Sequence, residues 1–392
     1  MTINYTADYI LPVSSDPVKN GVVTVNEHGL IMGVYERDSP EIKDKPVKAF
    51  SGIIVPGFIN SHCHLELSHL HQKIEKHQGL IPFIKNVIRQ RGLVDKDLHI
   101  ETMQQADKTM FENGIVAVGD ISNTDISKEI KEKSPIYYHT YIELLGIDPG
   151  KAKDIFKSGL SLKERFSPMP ASIVPHAPYS VSKALFKEIN DLSKHAENKC
   201  CMHNQESKEE NTFFRYKTGK FVDFYKDLNL DIDYFKPQAK NSVQSIILLL
   251  PKDKELMLVH NTYTSLKDIY FIRRTDRNIT WCFCPNANLF IENRLPKIEL
   301  FLLDGVNITL GTDSLASNEE LSILSELKTL QSYFSELPLT RTINWATLNG
   351  ARFLSIEDRF GSIERGKKPG LNLITDMEGL KLTEKSKVQK II

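Results

Sequence analysis

Two histidines one residue apart close an apolar run in PGFINSHCHLELSHL, residues 56–70. Side chains at i and i+2 of a strand point the same way, so His62 and His64 share a face and Cys63 takes the other. Imidazoles are costly to bury without partners. Either the pair is a bidentate pincer for a borderline metal such as zinc, or it is two pore-lining histidines bonded to polar neighbours. Three later stretches bear on the choice. CMHNQES carries His203 and, three residues on, Glu206, a carboxylate that could carry protons from a loop or simply start a helix. LVHNTYTS places His260 at the end of an apolar run, where it could also cap or pack. ITLGTDSLASN places Asp313 after another such run, where it could equally cap the helix that follows. Each structural role is reasonable alone, and far less so for all four places together.

These residues need a scaffold that delivers strand ends to one place. Eight short apolar stretches read as strands: 52–62, 115–121, 136–145, 172–177, 199–204, 256–261, 279–285 and 307–313. Helix-like stretches such as DLHIETMQQADKTMFENG and SKALFKEINDLSKHAEN lie between them. Eight β-then-α units point to a (β/α)8 TIM barrel, an α/β fold whose active site sits at the C-terminal ends of the strands. His62, His64, Asp120, Glu143, His176, His203, His260 and Asp313 fall at such ends. His69, His71, His77, His99, His139 and His195 read as surface or helix residues. Residues 1–52 and the stretch after Phe353 are rich in turns and short strands. They are expected to pair as one small β domain, 1–52 plus 357–392, beside a catalytic domain of 53–356.

The 392-residue chain has 50 basic and 50 acidic side chains, so no global field attracts nucleic acid or an anionic membrane. The start lacks a basic segment followed by an apolar core, and no apolar run reaches membrane-spanning length. Five cysteines in a chain this long do not make a disulfide scaffold, and Cys282 and Cys284 read as packing residues. The expectation is a cytoplasmic protein with a small-molecule partner. Between strands five and six runs a long insertion, FFRYKTGKFVDFYKDLNLDIDYF. Its Phe213, Phe214 and Tyr216 could stack on a planar ring or pack on the scaffold. Arg89, Arg91, Arg215 and Arg294 could each bind a carboxylate or phosphate. Phe213 and Arg215 are the substrate-binding candidates in this insertion.

In order, VPGFINSHCHLEL, HAPYSVS, HNQES, VHNTYTS, CPNANLFI and LGTDSLASN resemble the amidohydrolase superfamily, in its cytosine/adenosine deaminase and chlorohydrolase branch. The resemblance covers nearly the whole chain. It implies a barrel with a small β-sandwich from both termini. It makes His62, His64, His203 and Asp313 metal ligands, Glu206 the proton shuttle, His260 the residue that orients the attacking water, and His176 a residue facing the substrate. Asp313 also belongs to the catalytic group, since it can accept a hydrogen bond from that water. Two-metal members place a carboxylated lysine at the end of strand four, where this chain has His176, which implies one divalent metal. Zinc suits three imidazoles and a carboxylate, with Fe2+ or Mn2+ as alternatives. The H-x-E and P-C-x-x-C pair of the unrelated small zinc deaminases is absent. GSIERGKKPGLNLI resembles the family's closing segment but carries Pro369-Gly370-Leu371-Asn372 in place of Ala-Asp-Leu. The implied activity is hydrolytic deamination of an aminated heterocycle, nucleobase or nucleoside-like, including adenosine and aminodeoxyfutalosine types. The alternative is hydrolysis of a cyclic or linear amide, or of a carbon–chlorine bond, at the same site. The family also implies a homodimer or larger assembly.

Overall fold

Each of the eight expected stretches contributes a strand to a computed structural model that describes residues 2–303 and 305–392. These are β1 (Phe58–Cys63), β2 (Ile115–Ser122), β3 (Tyr137–Leu144), β4 (Ala171–Pro175), β5 (Cys200–Asn204), β6 (Leu256–His260), β7 (Ile279–Phe283) and β8 (Asn307–Leu310). All pair in parallel, as two four-stranded sheets that run β4-β3-β2-β1 and β5-β6-β7-β8. The chain is an α/β protein with parallel sheets. Almost every residue of these strands is buried, as expected when both faces of a parallel sheet are covered. The covering helices start where the chain supplies caps. Asp95 accepts from the amides of Asp97 and Leu98 ahead of Lys96–Glu112, and Ser182 accepts from Leu185 ahead of Lys183–His195.

The two sheets meet at two seams. At one, the amides of Thr312 and Asp313, just past β8, both donate to the carbonyl of His62 in β1, each at 3.1 Å. At the other, the His203 amide of β5 donates at 2.9 Å to the carbonyl of His176, just past β4. Gly311 permits the first seam. A Cβ there would lie 2.8 Å from both the Cβ and the carbonyl oxygen of His62, closer than real contacts allow.

The run GIIVPGFINSH, expected as one strand, is two. Ile53–Pro56 pairs antiparallel with Leu371–Ile374 in a five-stranded sheet made from both ends of the chain, and β1 begins only at Phe58. The break falls at Gly57, where a Cβ would come within 2.3 Å of Val116 and 2.6 Å of the Pro369 carbonyl. A second, four-stranded sheet combines Thr2–Thr6, Val22–Asn26, Ile31–Tyr35 and Lys48–Ala49. Tyr5, Val23, Val25 and Ile31 of that sheet share one apolar cluster with Ile10, Ile54, Leu371 and Leu373 of the first. Two histidines read as surface or helix residues are buried instead. His139 lies inside β3 with its Nε2 2.9 Å from the Ser172 hydroxyl, and His69 packs its ring 4.2 Å from that of His99. Among the described residues no helix is long and apolar enough to cross a membrane.

Gly311→Ala is expected to cost about 1–3 kcal/mol by overpacking the seam. It should also lower bound metal by displacing His62. Urea denaturation together with metal analysis checks both, and an unchanged metal content would contradict this view of the seam.

Candidate metal centre and active site

Ring nitrogens of His62, His64 and His203 and a carboxylate oxygen of Asp313 lie within 4.8 Å of one another. The His64 Nε2 is 3.1 Å from that of His62 and 3.2 Å from that of His203. Asp313 Oδ1 is 3.7 Å from His62 Nε2 and 3.4 Å from His64 Nε2. Hydrogen bonding alone cannot satisfy this geometry. His203 spends its Nδ1 hydrogen on the His176 carbonyl at 2.8 Å, so its Nε2 offers a lone pair. A hydrogen on His64 Nε2 can serve one neighbour and not both. Burial holds the imidazoles neutral: His64 and His203 are pushed down to about 3 and His62 well below its ordinary value, with the neighbouring imidazoles adding to the effect. Neutral nitrogen donors converging with a carboxylate are the donor set of a borderline divalent cation. The residues present therefore fit the metal that the sequence implies.

The surroundings orient the ligands. Cys201 Sγ lies 3.6 Å from His62 Nδ1, and Ser317 donates to Asp313 Oδ2 at 2.6 Å. Asp313 (φ 57°) and His260 (φ 72°) take left-handed backbone conformations that side-chain-bearing residues rarely adopt. Such strain persists where the surroundings over-determine it, often at functional sites. After His64 the chain is held by Asp120, which accepts the Leu65 amide at 2.8 Å and pairs with Lys131 at 2.6 Å; both side chains of the ion pair are fully buried.

Beside the four ligands sit Glu206 and His260, with Glu206 Oε1 3.7 Å from His260 Nε2. His260 donates from Nδ1 to Asn288 Oδ1 at 2.9 Å, while the Asn288 amide nitrogen reaches the His260 carbonyl. That leaves a lone pair on Nε2. Burial pushes the Glu206 carboxyl well above its ordinary range, and Asp313 and Glu210 push it further. Ser207 and Glu210 fix its backbone. Ser207 caps the helix Lys208–Tyr216, and the Glu210 carboxylate reaches back to the amides of Gln205 (3.0 Å) and Glu206 (3.2 Å).

The profile of the amidohydrolase family matches residues 53–390. This chain belongs to that family. The amidohydrolase is accordingly a hydrolase acting on carbon–nitrogen bonds. The adenosine deaminase of Helicobacter pylori (strain ATCC 700392 / 26695) is 28% identical over 331 residues, 82% of this chain and 79% of its own length. The crystal structure of Helicobacter pylori aminofutalosine deaminase in complex with methylthio-coformycin has a TM-score of 0.84 at 22% identity, covering 100% of both chains. That of an adenosine deaminase from Xanthomonas campestris with bound zinc has a TM-score of 0.74 at 20% identity, covering 95% of this chain and 84% of its own. At these identities the two structures speak for a shared fold.

The amidohydrolase brings His176 to the cluster, with its ring centroid 4.8 Å from that of His203 and its Nδ1 2.6 Å from the Ser180 hydroxyl. Phe213 and Arg215 are placed otherwise. Phe213 is buried among Phe214, Phe221, Tyr225 and Phe235, stacking on Phe235 at 4.7 Å. It lines an apolar cavity of about 210 Å3 whose walls include Tyr179 but none of the four candidate ligands. Tyr179 in turn packs its ring 5.7 Å from that of His176. Arg215 is exposed and lays its guanidinium over the Tyr216 ring. Sequence reasoning quoted the stretches holding Asn288 and Ser317 without singling out either residue. It placed Asp120 and Glu143 at strand ends without assigning them a role, and it gave no sign of Lys131, which reaches Asp120 only through the fold.

Lys131→Met leaves the Asp120 carboxylate buried without its partner and should destabilise the protein by about 3–5 kcal/mol in chemical denaturation. A second expectation concerns pH. Burial, helped by the nearby His260, holds His176 down at about 4 instead of 6.5, so in the metal-free protein it stays neutral where the unfolded chain takes up a proton. The unfolded state binds more protons between these values, and stability falls as pH drops through that window. Metal-free wild type should therefore lose its advantage over His176→Asn between pH 7 and pH 4, by on the order of 3 kcal/mol. A gap that stays constant in urea titrations across that range would reject the assignment.

Proposed function

We propose that this amidohydrolase is a metal-dependent deaminase that replaces the ring amine of an adenosine-type nucleoside by oxygen and releases ammonia. The observation that carries the proposal is Glu206 beside His260, with Glu206 Oε1 3.7 Å from His260 Nε2, adjoining a buried quartet of three imidazoles and one carboxylate. The names of its relatives, an adenosine deaminase and an aminofutalosine deaminase, support the same substrate class. His62, His64, His203 and Asp313 would hold one divalent ion. Zinc is the first candidate, on its donor set and on the zinc of the Xanthomonas campestris structure, with Fe2+ and Mn2+ next. Bound there, the ion would lower the pKa of water from ~15.7 toward ~7 and so supply a nucleophile at neutral pH.

The rest of the chemistry falls to the chain's own side chains. The free Nε2 of His260, fixed by Asn288, accepts a hydrogen from the attacking water and holds it on one face of the ring. Asp313 accepts a second hydrogen. Those two contacts are hydrogen bonds and leave both protons on the water. Glu206 delivers its own proton to the ring nitrogen beside the reacting carbon, takes one proton from the water and passes it to the departing amine. It is restored by the water's other proton as the carbonyl forms. An amine leaves poorly as an amide anion and readily as ammonia, so the shuttle is what this step requires. His176 faces the heterocycle. The proposal includes closure of the two parallel sheets into a (β/α)8 barrel over residues 53–356, supported by hydrogen bonds at both seams. It includes a β-sandwich of residues 1–52 and 357–392, supported by the apolar cluster that the two terminal sheets share. It extends to a cytoplasmic homodimer acting on a small heterocycle rather than on nucleic acid or membrane.

The test is ammonia release across purine, pyrimidine and pterin compounds and their nucleosides, with metal counted per chain. About one zinc per chain and turnover of adenosine-type nucleosides are expected. Glu206→Gln should keep the metal and lower kcat by about 10²–10⁴. Turnover of amides or chlorinated rings, with no ammonia from any aminated heterocycle, would overturn the proposal.

A further inference from the structure

The apolar cavity of about 210 Å3 beside Phe213 has no part in the proposed reaction. Its inner walls are buried side chains, among them Tyr179, Phe186, Phe213, Phe214, Tyr225 and Ile246. Three hydroxyls on its walls are committed to the protein. Tyr225 donates to the Tyr179 carbonyl at 2.5 Å, Ser245 to the Asn241 carbonyl at 2.7 Å, and Tyr234 to the Ile147 carbonyl. Water would find few partners there, and an apolar cavity of ~150 Å3 is known to stay dry and accept an apolar guest. At ~30 Å3 per water-sized group, the space suits about seven carbon-sized groups. The rim differs in character. Lys183, Lys236 and Gln238 stand there exposed, and no acid is among the described residues that line the cavity. Lys183 donates to Gln238 at 2.5 Å, and Lys236 pairs with no carboxylate among the described residues. Acids nearby in the chain are engaged elsewhere: Asp148 accepts the Gly150 amide at 2.8 Å, Asp231 the Asp233 amide at 2.7 Å, and Asp233 lies 3.9 Å from Lys217. The helix Lys183–His195 also begins at this wall, and helix N-termini favour anions.

We propose that this cavity binds a small carboxylate with an apolar body, octanoate being the model compound, at a site separate from the candidate metal centre, and that its occupant acts on the active site. The apolar body fills the aromatic walls. The carboxylate stays at the rim with the two lysines, because an ion is costly to bury. Two walls carry the influence inward. Pro178 and Tyr179 follow His176 closely in the chain, and the Tyr179 ring lies 5.7 Å from that of His176. Phe213 and Phe214 belong to the helix Lys208–Tyr216, whose Glu210 holds the Glu206 amide at 3.2 Å. An occupant packed against both walls restrains the loop after His176 and the helix behind Glu206. A ligand that meets an already restrained protein loses less freedom on binding, so the substrate should bind more tightly with the cavity filled. The binding site itself does not depend on the deaminase reading; only the effect on turnover does.

Calorimetric titration of the metal-loaded, full-length protein with octanoate, octanol and octylamine tests the site. Octanoate should bind saturably, about 5-fold tighter than octanol at low salt, with octylamine weakest. The preference should fade as salt screens the lysines. Reversing both charges, Lys183→Glu with Lys236→Glu, should erase it. Ala184→Phe, which fills part of the space, should abolish binding. The charge reversals lie on the surface and keep the test decisive if the filling variant folds poorly. Saturating octanoate should slow hydrogen exchange in residues 177–182 and 208–216. It should also lower KM for ammonia release from an adenosine-type nucleoside by about 5-fold, with kcat little changed. No saturable binding, or equal binding of all three compounds, overturns the site. A KM raised by competition makes the cavity part of the substrate pocket and overturns its separateness. An unchanged KM overturns the influence on the active site. Wild type inactive on every nucleoside defeats the deaminase reading alone, and calorimetry and hydrogen exchange still decide this proposal.

Discussion

Three imidazole nitrogens and a carboxylate oxygen are turned onto one buried point, and protein hydrogens cannot satisfy them all. Much of the surrounding structure follows from that constraint. His203 gives its only hydrogen to a main-chain carbonyl, which commits its other nitrogen to the cluster. His62 is flanked by the Cys201 thiol, and Asp313 has one oxygen tied to Ser317 and the other free to face the histidines. Burial makes protonation of these imidazoles costly, so the lone pairs stay available down to acidic pH. A divalent cation resolves the arrangement. Without one, the same burial that keeps the nitrogens neutral leaves them electrostatically unmatched.

The two parallel sheets are joined at these same residues. The seam between β8 and β1 is made by two amides on the His62 carbonyl, one of them from Asp313. The seam between β5 and β4 is made by the amide and the ring of His203, both on the His176 carbonyl. Ligand placement and the hydrogen bonds that join the two sheets are therefore not separable. A change that shifts either seam moves a candidate ligand, which is why Gly311 has no room for a side chain. The buried Asp120–Lys131 pair acts one step out, pinning the chain immediately after His64. Burial pushes both nearby carboxyl groups, Glu206 and Glu210, upward, and they divide the work by what they touch. Glu206 is driven by burial toward its acid form, while Glu210 accepts two backbone amides to fix the turn that carries it.

What could be read from the chain depended on how local the physics is. Strand existence was legible because apolar runs bounded by polar residues must be buried, and all eight runs became strands. The extent of the first was not. Ile53–Pro56 and β1 form one unbroken apolar run, and they part only because Gly57 is pressed by Val116 and by the Pro369 carbonyl, more than three hundred residues away in sequence for the latter. The polar residues at strand ends were legible for a related reason: a histidine or carboxylate that closes a buried strand needs a partner, and the shared strand ends supply one. Phe213 and Arg215 carried no such constraint. Aromatic and cationic side chains in a helical insertion can face core, cavity or solvent, and here one packs into an aromatic cluster while the other is exposed.

The sequence by itself determined the element types, the identity of the four candidate ligands and of Glu206 and His260, and membership of the amidohydrolase family. The element types rest on the pattern of apolar and polar residues, and the candidate ligands, Glu206 and His260 on ordered motifs that resemble the family, all of which survive without coordinates. Tertiary structure alone decided that Lys131 meets Asp120, that Asn288 fixes the tautomer of His260, and that Glu143 keeps an oxygen without a partner beside His176. The reason is range. Hydrogen bonding and desolvation act over a few ångströms in space, and the fold, not the chain order, sets which groups come within that distance.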